Sequence, residues 1–163
     1  MALNFKGALK VADTTNNRPH IVVYVFFLVH MFAFGGSGFY LAYGEDTPYI
    51  MTLMHGSIAI FVYIIFYITL FGLDKVVWMF INAILGLAQT YFVINFLGQF
   101  FVNNWDFYNY PFYRHIIPAI YIVLYLFLIR QLIYDIIKNE KITNFIFIFI
   151  NIIMYLYFYI GSL

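Results

Sequence analysis

The stretch IVVYVFFLVHMFAFGGSGFYLAY, residues 21 to 43, contains no charged side chain and exceeds the roughly 20 residues that an α-helix needs to cross a bilayer. Four further apolar runs follow it, and they are continuously apolar rather than alternating, which favours helices over a β-barrel. We therefore predict an all-α polytopic membrane protein, a five-span helical bundle formed by residues 21–163 after a polar, interfacial N-terminal lead at residues 1–20. The five spans are expected at about 21–43, 50–73, 76–102, 116–138 and 143–161.

Composition excludes a soluble globular domain. Hydrophobic residues make up 65% of the 163 residues and charged residues only 9%, whereas about a quarter of a typical soluble domain is charged. The chain has no cysteine, so it cannot supply a disulfide, a thiolate metal site or the ligands of an iron–sulfur cluster.

The distribution of cations predicts the orientation. Five crossings place seven of the eight Lys and Arg residues on one side, and only Arg114 on the other. By the positive-inside rule the N-terminus is inside and the C-terminus outside, in a bacterial inner (cytoplasmic) membrane or an organelle inner membrane. The seven cations are Lys6, Lys10, Arg18, Lys75, Arg130, Lys138 and Lys141.

The fourth span is interrupted by a charge. Only 15 uncharged residues, His115 to Ile129, precede Arg130, so this span crosses fully only if Arg130 reaches back to the interface. Pro118 is expected in the first turn of this helix, where a missing N–H costs little.

Small residues recur at helical spacing in the first span. They are predicted to form a strip against which another helix packs closely. The alternative is a locally unwound helix at Gly35-Gly36 whose carbonyls line a binding cavity, as in the broken helices of transporters. The strip consists of Ala33, Ser37, Gly38 and Ala42.

Polar side chains within the spans need partners, because an unpaired polar group in hydrocarbon is costly. Gln89 or Ser37 is the expected partner of His30, and a residue of the third span such as Asn95 that of His55. The third span carries an intramembrane polar row on two faces, which predicts a central position in the bundle. That row consists of Asn82, Gln89, Asn95 and Gln99.

The histidines suggest two kinds of cofactor site. A b-type haem would use His30 and His55, but helix rise places them about 10 Å apart in depth, so no cofactor is predicted outright. A five-span layout with an inside N-terminus and intramembrane histidines is similar to the cytochrome b anchors of succinate and fumarate reductases, which implies haem binding; the four bundle histidines of those anchors are not present here. A metal site would use His55 and His115 with a carboxylate from Glu45, Asp46 or Asp106.

The functional prediction follows from the absence of a recognisable reaction centre. We expect an accessory or anchoring subunit of a larger membrane complex, of a respiratory or energy-coupling kind, that contacts the bilayer and either other membrane subunits or further copies of itself, and no nucleic acid. A small channel or carrier for an uncharged solute is the second class, and a lipid-directed enzyme the third; no catalytic residue is assigned. The aromatic loop at 103–115 is expected to be an interfacial belt, or else a docking surface for an external protein or a quinone.

Overall fold

The computed structural model of the chain describes residues 21–44, 47–85 and 87–161. Over these residues the secondary structure is entirely helical, with six α-helices and one short 3-10 helix. The N-terminal lead at 1–20 lies outside the described residues. The helices are α1 (Ile21–Tyr43), α2 (Tyr49–Phe71), α3 (Leu73–Leu85), α4 (Leu87–Phe101), α5 (Tyr113–Ile137) and α6 (Glu140–Gly161), and the 3-10 helix is Phe107–Asn109.

Four of these helices are long and apolar enough to cross a membrane. They are α1, α2, α5 and the Glu140–Tyr157 part of α6. Their bounds lie within a few residues of four of the predicted spans, because each ends where charged or turn-forming residues interrupt the apolar run. The chain is therefore an all-helical bundle with the composition of an integral membrane protein.

Two described helices cover most of the predicted third span, 76–102. They are α3, with 13 residues, and α4, with 15. Each is shorter than the roughly 20 residues that a crossing requires, and residue 86 between them lies outside the described part. A five-span count requires α3 and α4 to cross together and stays a prediction.

The centre of the bundle is α5 and not the third span, so the predicted central position of the third span is wrong. Helix α5 contacts each of the other five helices. It is also the longest, with 25 residues, because it begins before Arg114 and continues beyond Arg130. Pro118 consequently lies inside the helix and not in its first turn.

Helices α1 and α5 run antiparallel, which defines two ends of the bundle. At the first, named the Asp135 end, the Tyr24 hydroxyl donates a hydrogen bond to the Asp135 carboxylate. At the second, named the Arg114 end, the Arg114 guanidinium donates to the carbonyl oxygens of Ala42 at 3.0 Å and Thr47 at 3.4 Å. The Ala42 carbonyl belongs to the last turn of α1, where backbone acceptors lack partners within the helix, and Thr47 lies in the loop that follows.

Two glycines make very close contacts in the core of the bundle. Helices α2 and α5 meet at Gly56, where a β-carbon would overlap the Ile117 side chain. At the Arg114 end the Trp105 indole folds back onto α4 at Gly98, and a β-carbon there would overlap the indole ring. Neither glycine belongs to the predicted small-residue strip, so two of the tightest contacts in the bundle were missed.

Candidate functional site

The candidate site lies where α1, α2 and α5 meet, and the glycines of α1 determine its shape. The Tyr121 ring of α5 lies against this helix: a β-carbon at Gly35 would be 3.8 Å from Tyr121 Cδ1, and one at Gly38 would be 3.6 Å from Tyr121 Cε2. Here α1 is a continuous helix from Ile21 to Tyr43. The glycines therefore accommodate an aromatic ring of another helix, and the alternative of a locally unwound segment at Gly35-Gly36 is not observed.

His30 is paired with a tyrosine. Its Nδ1 is 2.8 Å from the hydroxyl oxygen of Tyr63 on α2. The imidazole also stacks on the rings of Phe26 and Phe34, with centroids 5.6 Å and 4.7 Å away. Of the two predicted partners, Ser37 pairs with His55 instead, and the side chain of Gln89 lies outside the described part of the structure.

His55 is paired with Ser37, across the interface between α1 and α2. Its Nε2 is 3.2 Å from Ser37 Oγ, while the Ser37 hydroxyl also donates to the Phe34 carbonyl oxygen at 2.9 Å. The predicted pairing of His55 with Asn95 is therefore wrong. The other ring nitrogen, Nδ1, is buried and has no hydrogen-bond partner among the described residues.

The two histidines of the haem hypothesis lie at different levels of the bundle. His55 is level with Ser37, which follows His30 by seven residues, so the axial separation is about 10 Å by helix rise. The Phe34 ring stacks with both imidazoles. This agrees with the depth difference expected from the sequence, and haem binding stays a prediction.

His115 is buried at the Arg114 end, away from His55. Its Nδ1 is 2.8 Å from the hydroxyl oxygen of Tyr43, and its ring is parallel to that of Phe107 with centroids 3.9 Å apart. Tyr43 follows Ser37, the partner of His55, by six residues of α1, which is about 9 Å along the helix.

A metal site with His55 and His115 has no further support in this arrangement. The Asp106 carboxylate caps the short 3-10 helix by accepting from the backbone N–H of Tyr108 at 3.0 Å. Within 21–44, 47–85 and 87–161, no three His, Cys, Asp or Glu side chains converge where they could hold a metal ion. Glu45 and Asp46 lie outside these ranges.

The predicted small-residue strip divides between two faces of α1. Gly38 and Ala42 are buried inside the bundle, whereas Ala33 and Ser37 are exposed on its outer surface. Gly36, which was not assigned to the strip, is also exposed, and a β-carbon there would meet no atom within 4 Å. One face therefore packs within the chain, and the other is open.

The predicted polar row of the third span is described only in part. Asn95 accepts a hydrogen bond from the Trp105 indole N–H at 2.6 Å, so its partner is a loop residue of the same segment. Gln99 is exposed. The side chains of Asn82 and Gln89 lie outside the described part of the structure.

Tyrosines are the functional class that sequence reasoning missed. Besides Tyr63 and Tyr43, which bind histidines, Tyr67 is fully buried and its hydroxyl lies 2.9 Å from Met31 Sδ and 3.1 Å from the Leu124 carbonyl oxygen. The signal was available, because Tyr63 and Tyr67 are spaced i,i+4 in the middle of a span, where each hydroxyl needs a partner.

A scan against protein-family models, a search of curated proteins and a search of solved structures each found no match. The chemistry of the site therefore has to be inferred from its geometry. The site consists of hydrogen-bonding side chains, with tyrosine, histidine and serine paired across helices.

Proposed function

We propose that this chain is an integral membrane subunit that supports or anchors a larger membrane complex, and that it contacts the neighbouring chain through the outer face of α1. The outer face of α1 is defined here by four residues that are exposed in the bundle. They are His30, Ala33, Gly36 and Ser37.

The observation that carries this proposal is the presence of polar groups on a surface that would otherwise face acyl chains. His30 directs Nδ1 inward to Tyr63, which is 3% exposed. The opposite edge of the imidazole, which carries Nε2, therefore faces outward. No described residue bonds that nitrogen, so in hydrocarbon it would need a partner, which a neighbouring protein can supply.

The small residues on the same face support a helix as the contacting element. Gly36 has open space around its β-carbon position. Ala33 precedes Gly36 by three residues and Ser37 by four, spacings at which side chains are neighbours on a helix surface. In membranes, association is favoured where small side chains let two backbones approach closely, because lipid offers no hydrophobic drive for larger ones.

The test compares leucine substitutions on two exposed faces. Ser37→Leu and Gly36→Leu should block close approach on the outer face of α1 and shift the chain from its assembly to the free form, because Leu is bulky while keeping the span apolar. Ser57→Leu is the matched control, since Ser57 is also an exposed serine within a span but lies on α2. The measurement is native mass spectrometry from lipid nanodiscs, together with the chains that co-purify.

A wild-type chain that is strictly monomeric in nanodiscs and has no co-purifying partner from its native membrane would contradict the proposal. Equal loss of assembly in Ser57→Leu would also contradict it, because that result would assign the effect to general surface change. The channel or carrier alternative would then take precedence.

We also propose that the chain crosses five times, with the N-terminus inside and the C-terminus outside, in a bacterial inner membrane. The charges support this. Lys75 lies near the Asp135 end, with its Nζ 5.4 Å from the centroid of the Tyr134 ring. Arg130 is in the same part of α5, and Lys138 and Lys141 lie in and after the turn between α5 and α6, whereas Arg114 lies at the other end.

Single cysteines test this orientation, because the chain has none of its own. Asn109→Cys at the Arg114 end should react in intact cells with a membrane-impermeant thiol reagent, and Asn4→Cys should react only after the membrane is opened. The reverse labelling pattern would invert the orientation. Labelling of both positions in intact cells would exclude five crossings.

A further inference from the structure

Two side-chain rings that border Gly38 each carry a buried polar atom without a hydrogen-bond partner among the described residues. One is the hydroxyl oxygen of Tyr121, a residue only 5% exposed, and the other is Nδ1 of His55. They come from different helices, α5 and α2. Buried polar groups in proteins are nearly always hydrogen-bonded, by protein or by water, so the pair needs an explanation.

The hydrogen bonds of Ser37 assign the tautomer of His55. A serine hydroxyl has one hydrogen, and Ser37 donates it to the Phe34 carbonyl at 2.9 Å. At its 3.2 Å contact with His55 Nε2, Ser37 Oγ must therefore accept. In the neutral imidazole Nε2 then carries the proton, and Nδ1 is an unprotonated acceptor.

The two unpaired groups are thus complementary, with one donor and one acceptor. The Tyr121 hydroxyl can donate and His55 Nδ1 can accept, yet the two atoms are not hydrogen-bonded to each other. A molecule between them has to accept on one side and donate on the other. Water does both, whereas an apolar molecule or a simple ion does not.

Gly38 supplies the space that both rings border. A β-carbon at this position would be 3.6 Å from His55 Nδ1 and 3.6 Å from Tyr121 Cε2. Both rings therefore line the same small volume next to the α1 backbone, and any side chain larger than hydrogen would enter it.

We propose that this volume is a binding site for a single buried water molecule, which accepts a hydrogen bond from the Tyr121 hydroxyl and donates one to His55 Nδ1. The water joins α5 to α2 and holds His55 in the Nε2-protonated form. The Tyr63 and Tyr121 rings are in edge contact, with centroids 6.3 Å apart, so the site adjoins the His30–Tyr63 pair. The result is a row of neutral hydrogen-bonding groups through the middle of the bundle.

The test uses the full chain in lipid nanodiscs with ¹⁵N-labelled histidine rings, and the His55 signals are assigned by their loss in His55→Gln. In the wild type, NMR should show a neutral His55 protonated at Nε2, with Nδ1 at the shift of a hydrogen-bond acceptor and magnetisation transfer from water to this ring. Gly38→Ala places a methyl group in the volume without overlap, so the transfer should be lost and the Nδ1 signal should move towards that of a free acceptor.

Gly36→Ala is the matched control, since it makes the same substitution in the same helix where no atom lies within 4 Å of the new carbon. It should leave the His55 signals unchanged. Tyr121→Phe removes one oxygen atom and should shift the Nδ1 signal in the same direction as Gly38→Ala. Shifts in Gly38→Ala and Tyr121→Phe with none in Gly36→Ala support the site.

Three results would overturn it. If Nδ1 of the wild-type His55 is protonated, it cannot accept a hydrogen bond from the water. If there is no magnetisation transfer from water to the ring, no water is bound there. A shift in Tyr121→Phe without one in Gly38→Ala means that tyrosine and histidine bind each other directly.

Discussion

The glycines at positions 38 and 36 of α1 are two residues apart and face opposite environments. A β-carbon at Gly38 would be in van der Waals contact with His55 and Tyr121 of its own chain, whereas at Gly36 it would meet nothing within 4 Å. The same residue type thus serves internal packing on one face, and on the next face leaves the backbone open to an approaching molecule. Spacing along the sequence cannot separate these two roles, because it identifies a face and not what covers it.

The other tight glycines extend this comparison into a series. Gly98 and Gly56 are closer to their neighbours than Gly38 is, since a β-carbon at either would overlap a side chain. Replacing each glycine by alanine therefore measures how fully its site is occupied. The expected destabilisation is largest for Gly98 and smaller for Gly56, and at Gly36 the substitution is expected to stabilise the isolated chain.

Gly98→Ala should be the most destabilising of these substitutions. The new methyl group overlaps the rigid indole of Trp105, which cannot move without losing its hydrogen bond to Asn95. Overpacking costs about 1–3 kcal/mol, and the lost hydrogen bond adds about 1 kcal/mol. The free energy of unfolding can be measured by titration with a denaturing detergent in mixed micelles.

Trp105→Phe is the control for this prediction. Its ring is smaller than indole, so the double variant Gly98→Ala/Trp105→Phe should be less destabilised than the sum of the two single variants. Strict additivity would show that Trp105 does not press on Gly98.

Gly56→Ala should have the next largest effect, about 1–3 kcal/mol of destabilisation. Its methyl group overlaps Ile117, whose branched side chain can change rotamer more easily than an indole ring can move. In thermal unfolding, Ile117→Ala in the same chain should offset part of the loss by making room. If the double variant is no better than expected from the two single ones, α2 and α5 do not meet at this point.

Gly36→Ala should stabilise the isolated chain by about 0.5–1 kcal/mol, because alanine favours the helix and the space around it is open. The same denaturation assay tests this. In the assembled complex the substitution should weaken association, because the methyl group enters the contact proposed for the outer face of α1. Equal stabilisation of the free and the assembled protein would show that Gly36 does not contact a neighbouring chain.

The apolar pattern was sufficient to predict the helices but not their neighbours. The end of α1 at Tyr43 was predicted because Gly44 and the charged residues after it interrupt the run. The central position of α5 was not predicted, because in a membrane protein side chains that face lipid and side chains that face protein are equally apolar. The expected pairing of Asn95 with His55 was also wrong, because the partner of Asn95 is Trp105 in the adjoining loop and not a residue of another span.

For the histidines, the sequence predicted the depth in the bundle but not the orientation of the side chains. Counting residues along a helix predicted that His30 and His55 differ in depth by about 10 Å, which agrees with the contacts of α1. Counting cannot predict which way each side chain turns, so Tyr63 and Ser37 were not identified as the partners of these two rings.

The Arg114 guanidinium has a consequence for the biosynthesis of the chain. It binds the Ala42 carbonyl across 72 residues of sequence, so the end of α1 lacks this donor until the start of α5 has been synthesised. At 5–20 residues per second that interval is roughly 4–15 s. During it, the Ala42 carbonyl at the end of α1 is without the Arg114 donor, and synthesis of the start of α5 supplies it.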